Sequence, residues 1–172
     1  MRIFAHFLDS RRAIFPKATP KPGPLSPAEL EQSALRLLTL RDHSRAELRR
    51  KLQARNELEE SQLEAVLDRL ERLDYLNDPR YTRHYTESRC RRGFGPLRIR
   101  QELQQRGIAP ALVEQVLGDH AESWREALHK LAAAKYGNAP AGDLKEQARR
   151  ARFLQSRGFS TAMIRDYLFA EP

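Results

Sequence analysis

Arginine is the residue type with the most chemistry to offer in this chain. Between Arg80 and Arg106 stand Arg80, Arg83, Arg89, Arg91, Arg92, Arg98, Arg100 and Arg106, against Glu87 and Glu102 alone. A guanidinium stays charged and offers five N–H donors in a planar fork that matches carboxylate or phosphate. The chemistry this predicts is recognition of an anionic surface. Other candidates weigh less. Cys90 lies among arginines that would lower its thiol pKa, but no base can be assigned to it, so it is not read as a nucleophile. His6, His43, His84, His120 and His129 form neither H-E-x-x-H nor a close ligand cluster, so no metal is expected. Gly93-Phe94-Gly95 lacks the spacing and the preceding strand of a phosphate loop and reads as an inter-helix turn. Tyr81, Tyr85, Tyr136, Tyr167 and Trp124 fall on apolar faces, which predicts core packing over base stacking. The chain is read as a non-enzyme with no catalytic residue and no cofactor.

The arginines need elements to aim them. Arg91 to Ile108 reads as a short basic helix between two glycine-marked turns: Gly95-Pro96 opens it and Gly107 closes it. Ile99, Glu102, Leu103 and Arg106 share one face, with Arg98, Arg100, Gln101 and Gln105 pointing elsewhere. The helix recurs. Leu52-Gln53-Ala54-Arg55, Leu103-Gln104-Gln105-Arg106 and Leu154-Gln155-Ser156-Arg157 follow one another at a spacing of 51 residues, and Asn56, Gly107 and Gly158 come next. Each copy is trailed by an apolar helical pattern, so the chain is read as an internal repeat.

Taken in order, residues 1–27 form a leader. Ile3, Phe4, Phe7 and Leu8 start it, and Pro16, Pro20, Pro22, Pro24 and Pro27 forbid a continuous helix, predicting extended or disordered chain. Ser26–Glu29, Ser44–Glu47 and Ser61–Glu64 each have capping-box form and predict three helix starts. Leu30, Ala34, Leu37 or Leu38 and Leu40 give the first helix its stripe. Leu63, Val66, Leu67, Leu70 and Leu73 do so for the third. Asp78 is expected to cap the next helix with Pro79 at its first position. No strand pattern of useful length appears. The expected fold is all-α: three tandem three-helix, helix-turn-helix-like repeats in an elongated array, over 28–77, 78–118 and 119–172.

The 172 residues are 40% hydrophobic and 31% charged, with net charge +8. With a mean hydropathy of −0.71 and a pI near 10.0, this points to a polyanion or an acidic protein surface as partner. One cysteine allows no intrachain disulfide, no window approaches a membrane span, and the start lacks a cleavage site, which together predict a reducing cytoplasm. The positive bias recurs as Arg45, Arg49, Arg50, Lys51 and Arg55, then Lys145, Arg149, Arg150, Arg152 and Arg157. An acidic stripe precedes the central arginines: Glu57, Glu59, Glu60, Glu64, Asp68, Glu71, Asp74 and Asp78. Regular stacking would line the three basic helices along one positive side, opposed by this stripe.

A helix-turn-helix DNA-binding regulator is one reading of such units. Three similar Arg- and Gln-rich helices in one chain suit extended electrostatic contact better than a two-half-site operator. Several ordered motifs point further. Ala34–Leu38 with Arg41-Asp42-His43-Ser44 through Leu52, Asp74–Asp78 with Arg80-Tyr81, Arg92–Pro96 through Ile99–Leu103 to Gly107-Ile108, and Phe153-Leu154 with Arg157–Ser160 resemble the bacterial regulatory protein RecX family. The resemblance covers about Leu30 to Leu168. It implies a non-catalytic tandem array that binds the RecA nucleoprotein filament, limits its growth and favours its disassembly. RecA's ATPase, strand exchange and stimulation of LexA self-cleavage would be damped in consequence. Arg49, Arg50, Arg98, Arg100, Arg149 and Arg152 are the expected partner-surface residues, facing RecA or DNA phosphate, in a protein expected to be monomeric.

Overall fold

The structure is a computed structural model, and it describes residues 25–54 and 59–169. Most of the leader, Arg55, Asn56 and Glu57 therefore lie outside the described residues. Nine helices occupy the described chain: α1 Pro27–Leu40, α2 Arg45–Gln53, α3 Glu60–Arg72, α4 Asp78–Arg91, α5 Pro96–Gln105, α6 Pro110–Asp119, α7 Ala121–Tyr136, α8 Leu144–Ser156 and α9 Thr161–Phe169. They group as α1–α3, α4–α6 and α7–α9, an all-α fold of three-helix repeats in tandem.

Local chemistry explains the helix starts. Ser26 and Ser44 make both halves of a capping box with Glu29 and Glu47. The third expected box does not form. Here α3 starts on the backbone of Glu59, whose carbonyl accepts the N–H groups of Gln62 and Leu63, which leaves Ser61 inside the first turn. Asn77, rather than Asp78, caps α4 by accepting from the Arg80 N–H at 2.7 Å. Asp78 is thereby freed to accept the Arg45 N–H at 2.8 Å, in the preceding repeat.

Each unit has its own apolar cluster. Leu30, Leu48, Leu52, Leu63, Leu67 and Leu70 anchor the first. Tyr81, Ile99, Leu103, Ile108, Val113 and Trp124 anchor the second, and Leu128, Leu154, Phe159 and Ile164 the third. Each fully buried aliphatic side chain contributes roughly 1.5–3 kcal/mol. Two leucines depart from the expected stripes: Leu40 is 82% exposed and Leu73 50%. Both stand at the very end of a helix, past the last turn that faces a neighbour. Trp124 belongs to α7 yet packs into the second cluster, donating its indole N–H to the Leu117 carbonyl at 3.1 Å.

Candidate partner-binding surface

The three basic helices are α2, α5 and α8, and the 51-residue spacing aligns them position by position. Leu52, Leu103 and Leu154 face inward at 0–1% exposure. One turn earlier the series reads Leu48, Ile99 and Arg150, and all three are buried. Arg150 is thus removed from the positive surface on which its charge placed it. Glu146 accepts from its guanidinium, as do the Ala139 carbonyl at 2.9 Å and the Tyr167 hydroxyl at 3.3 Å. An arginine at a core position is tolerated only when its donors are met this way.

Consecutive basic helices meet end to end. The last turn of α5 docks on the first turn of α2, where the Ser44 hydroxyl donates to the Arg106 carbonyl at 2.6 Å. The last turn of α8 docks on α5 in the same manner. There the Gly95 N–H donates to the Arg157 carbonyl at 2.8 Å and the Leu97 N–H to the Gly158 carbonyl at 3.0 Å. Left-handed glycines make the approach possible. A Cβ on Gly107, at φ +78°, would stand 2.3 Å from the Ala46 Cβ, and one on Gly158, at φ +92°, 2.4 Å from the Arg98 Cβ. An arginine crosses each joint: Arg50 donates to the Gln105 carbonyl at 3.4 Å and Arg98 to the Ser156 carbonyl at 3.5 Å. Gln105 and Ser156 are equivalent positions of successive repeats.

This stacking sorts the six expected arginines into two groups. Arg50, Arg98, Arg149 and Arg152 are exposed and fall on two repeat positions of one helix face. Arg50 aligns with Gln101 and Arg152, and Arg98 and Arg149 align with the buried Glu47, beside the exposed Gln53, Gln104, Gln105 and Gln155. The exposed positions of this strip carry no carboxylate and include Leu97, which is 47% exposed. Arg98 and Arg149 have one acidic neighbour each, Glu102 at 3.1 Å and Glu146 at 3.5 Å. Arg152 has no ion pair among the described residues. Arg49 and Arg100 occupy a different register and turn toward the third helix of their own unit. Arg49 pairs with Glu60 and Glu64 on α3, and Arg100 makes a two-pronged pair with Glu114 on α6 at 2.6 and 2.8 Å. The third repeat has Ala151 at this position.

The acidic stripe does not oppose the basic helices from a distance. Its middle, from Glu60 to Glu71, is paired within the first unit, and Asp74 pairs with Arg80 of α4. Arg45 reaches Glu64, Asp68 and Glu71 at 2.5–2.7 Å, and Arg49 takes Glu60. A second charged centre lies where the first two units touch. Glu47 accepts from Arg106, from Arg41 at 3.3 Å and from the Tyr81 hydroxyl at 3.1 Å. Burial, then the Glu47 charge, pushes the Tyr81 phenol up to about 12. Glu102 is the matching centre of the second unit, held by Arg89, Tyr85 and Arg98. Arg98 reaches it from one turn earlier on α5, at i, i+4, while Arg106, one turn later, pairs with Glu47 instead.

The Cys90 thiol is not activated. Burial raises its pKa, outweighing the neighbouring Arg91. No group of three His, Cys, Asp or Glu side chains able to hold a metal occurs among the described residues. The sequence singled out the strip arginines, Gln101 and Gln105. Gln53, Gln104 and Gln155 read in it only as part of the repeat, and it missed Leu97, because the equivalents of Leu97 at a spacing of 51 are Ala46 and Ala148.

Comparison with known proteins agrees with the repeat. Residues 32–70, 77–117 and 123–168 match, in order, the first, second and third three-helix domains of RecX. The chain is 41% identical over 139 residues to the Regulatory protein RecX of Pseudomonas savastanoi pv. phaseolicola, covering 81% of this chain and 89% of that one. The chain belongs to the RecX family. The RecX of Pseudomonas syringae pv. tomato is 40% identical over the same shares. Among solved structures, RecX from Lactobacillus salivarius superposes with a TM-score of 0.72 at 24% identity, over 83% of this chain and 93% of that one. A second RecX crystal structure gives 0.70 at 23% identity, over 84% and 73%. These two carry the fold. The named relatives make the chain a RecX-type regulator. No helix of the described residues is long and apolar enough to cross a membrane.

Proposed function

We propose that the chain regulates the RecA nucleoprotein filament by lodging along it, limiting its extension and promoting its disassembly. RecA ATPase, strand exchange and coprotease activity fall in consequence. The carrying observation is the face of exposed arginines and glutamines, without an exposed carboxylate, that recurs on three end-to-end helices. A filament repeats its own surface, so equivalent helices meet equivalent sites. Several modest contacts then add as an avidity rather than as one strong bond. The protein acts as a monomer in the cytoplasm, without catalysis of its own.

Within this reading the strip binds, and the pairs of Arg49 with α3 and of Arg100 with α6 hold the fold. RecA ATPase on single-stranded DNA, followed while substoichiometric protein is added, tests both parts. Inhibition far below the number of DNA sites is expected. Replacing Arg50, Arg98, Arg149 and Arg152 together by Ala should raise the half-inhibiting concentration more than about tenfold, since exposed charges contribute roughly 0.2–1 kcal/mol each. Arg49→Ala with Arg100→Ala should leave it within about twofold. Inhibition only at DNA saturation would favour an autonomous DNA-binding regulator instead.

A further inference from the structure

The two joints between units are made of different material. At the second, apolar packing crosses the boundary: Trp124 of α7 sits in the α4–α6 core, Met163 of α9 touches both cores, and α4 packs along α7. Two backbone-to-backbone hydrogen bonds, from Gly95 and Leu97, lock it. At the first joint the two apolar clusters share no side chain. What joins them is polar: Ser44 to Arg106, Arg45 to Asp78, Arg50 to Gln105, His84 to Asp42 at 3.4 Å, and Glu47 gripped by Arg106 and Tyr81. No helix of the first unit packs along a helix of the second as α4 does along α7. The linking turn is short and passes through Asp74 at φ +57°, a left-handed residue tethered by Arg80 and Asn77.

We propose that the first unit is a hinged arm: α1–α3 swings as one body against a rigid α4–α9 body, and the charged clasp around Glu47 holds it shut. The pivot is the Leu76–Asn77 step, between the last side chain of the first core and the cap of α4. Each body keeps its own core, so opening exposes little apolar surface and costs no unfolding. Salt reaches the clasp through the part-exposed Arg41 and Arg106 that hold Glu47 and weakens it, whereas the apolar second joint has no such charges to screen. The arm carries α2, so opening bends the strip between Arg50 and Gln105 and leaves the α5–α8 stretch straight. The hinge is independent of what the strip binds.

Pulsed electron-spin distance measurements on the full chain test this in a Cys90→Ala background. Labels at Gln32→Cys and Arg83→Cys span the first joint, and labels at Arg83→Cys and Arg165→Cys span the second. All three label positions are exposed. Raising salt from about 0.05 to 0.5 M, which shortens the screening length from over 10 Å to a few ångström, should broaden and shift the first distribution by several ångström and leave the second unchanged. Glu47→Gln should do the same at low salt. Its amide oxygen still accepts the Ser44 N–H of the capping box, so helix content by circular dichroism should stay at the parental value. A first-joint distribution indifferent to salt, or two joints that respond alike, would overturn the hinge. The salt arm needs no charge variant, so a misfolded Glu47→Gln protein does not remove the test.

Discussion

Glu47 shows how far a single carboxylate can reach. Burial alone would raise its pKa, but Arg41 and Arg106 outweigh that and hold the carboxyl below its ordinary 4.5. Glu102 is lowered in the same way by Arg89, Tyr85 and Arg98 against its own burial. A carboxyl depressed in the folded state stabilises at pH above its unfolded value and loses that contribution as pH falls through the folded one. Stability should therefore hold near neutrality and decline once pH drops below the ordinary 4.5 of these groups. Urea midpoints measured from about pH 7 to pH 3 check this. Glu47→Gln should be less stable at neutrality by about 1–3 kcal/mol and show a shallower acid decline. The two carboxylates were unequally legible. Glu102 was readable as inward-facing, with a partner one turn away. Glu47 was readable only as half of a capping box, because Arg106 is 59 residues distant and no local pattern encodes that meeting.

At the scale of the element, the three basic helices were legible because leucine, glycine and arginine recur at a fixed offset. Which arginines remain outward was not, since that depends on whether the third helix of each unit offers a carboxylate at the right turn. Glu60 and Glu114 do, and they take Arg49 and Arg100. The glycines at the joints were read as helix stops, and the structure gives them a second duty as points of contact. Gly158→Ala should cost more than about 2 kcal/mol: positive φ alone costs roughly 1–3 kcal/mol for an L side chain, and the added Cβ would stand 2.4 Å from the Arg98 Cβ. Gly118→Ala is the contrasting case. It lies within α6 and a Cβ there meets nothing within 4 Å, so it should be neutral or stabilising by up to about 1 kcal/mol. Thermal unfolding of the two variants beside the parent separates these outcomes.

Across the whole molecule, the all-α tandem plan was written in apolar periodicity, while the unequal joints were not. They turn on one tryptophan and one methionine that pack across a boundary. The two free ends of the helix stack differ from its inner contacts. Where α2 and α5 offer Ser44 and Gly95 to an incoming carbonyl, α8 offers Asp143. An ionised carboxylate only accepts hydrogen bonds and would repel that carbonyl. Where the inner joints present Gly107 and Gly158, the corresponding place after α2 is Asn56, whose Cβ has no room in such a joint. Asp143→Ser with Asn56→Gly should therefore raise the apparent mass in sedimentation as concentration increases, and the parent should not respond. Head-to-tail contacts that never close a ring ordinarily run on into fibres. On this expectation Asp143 and Asn56 each oppose a further rung, and the length of the stack is written in the sequence rather than left to supply.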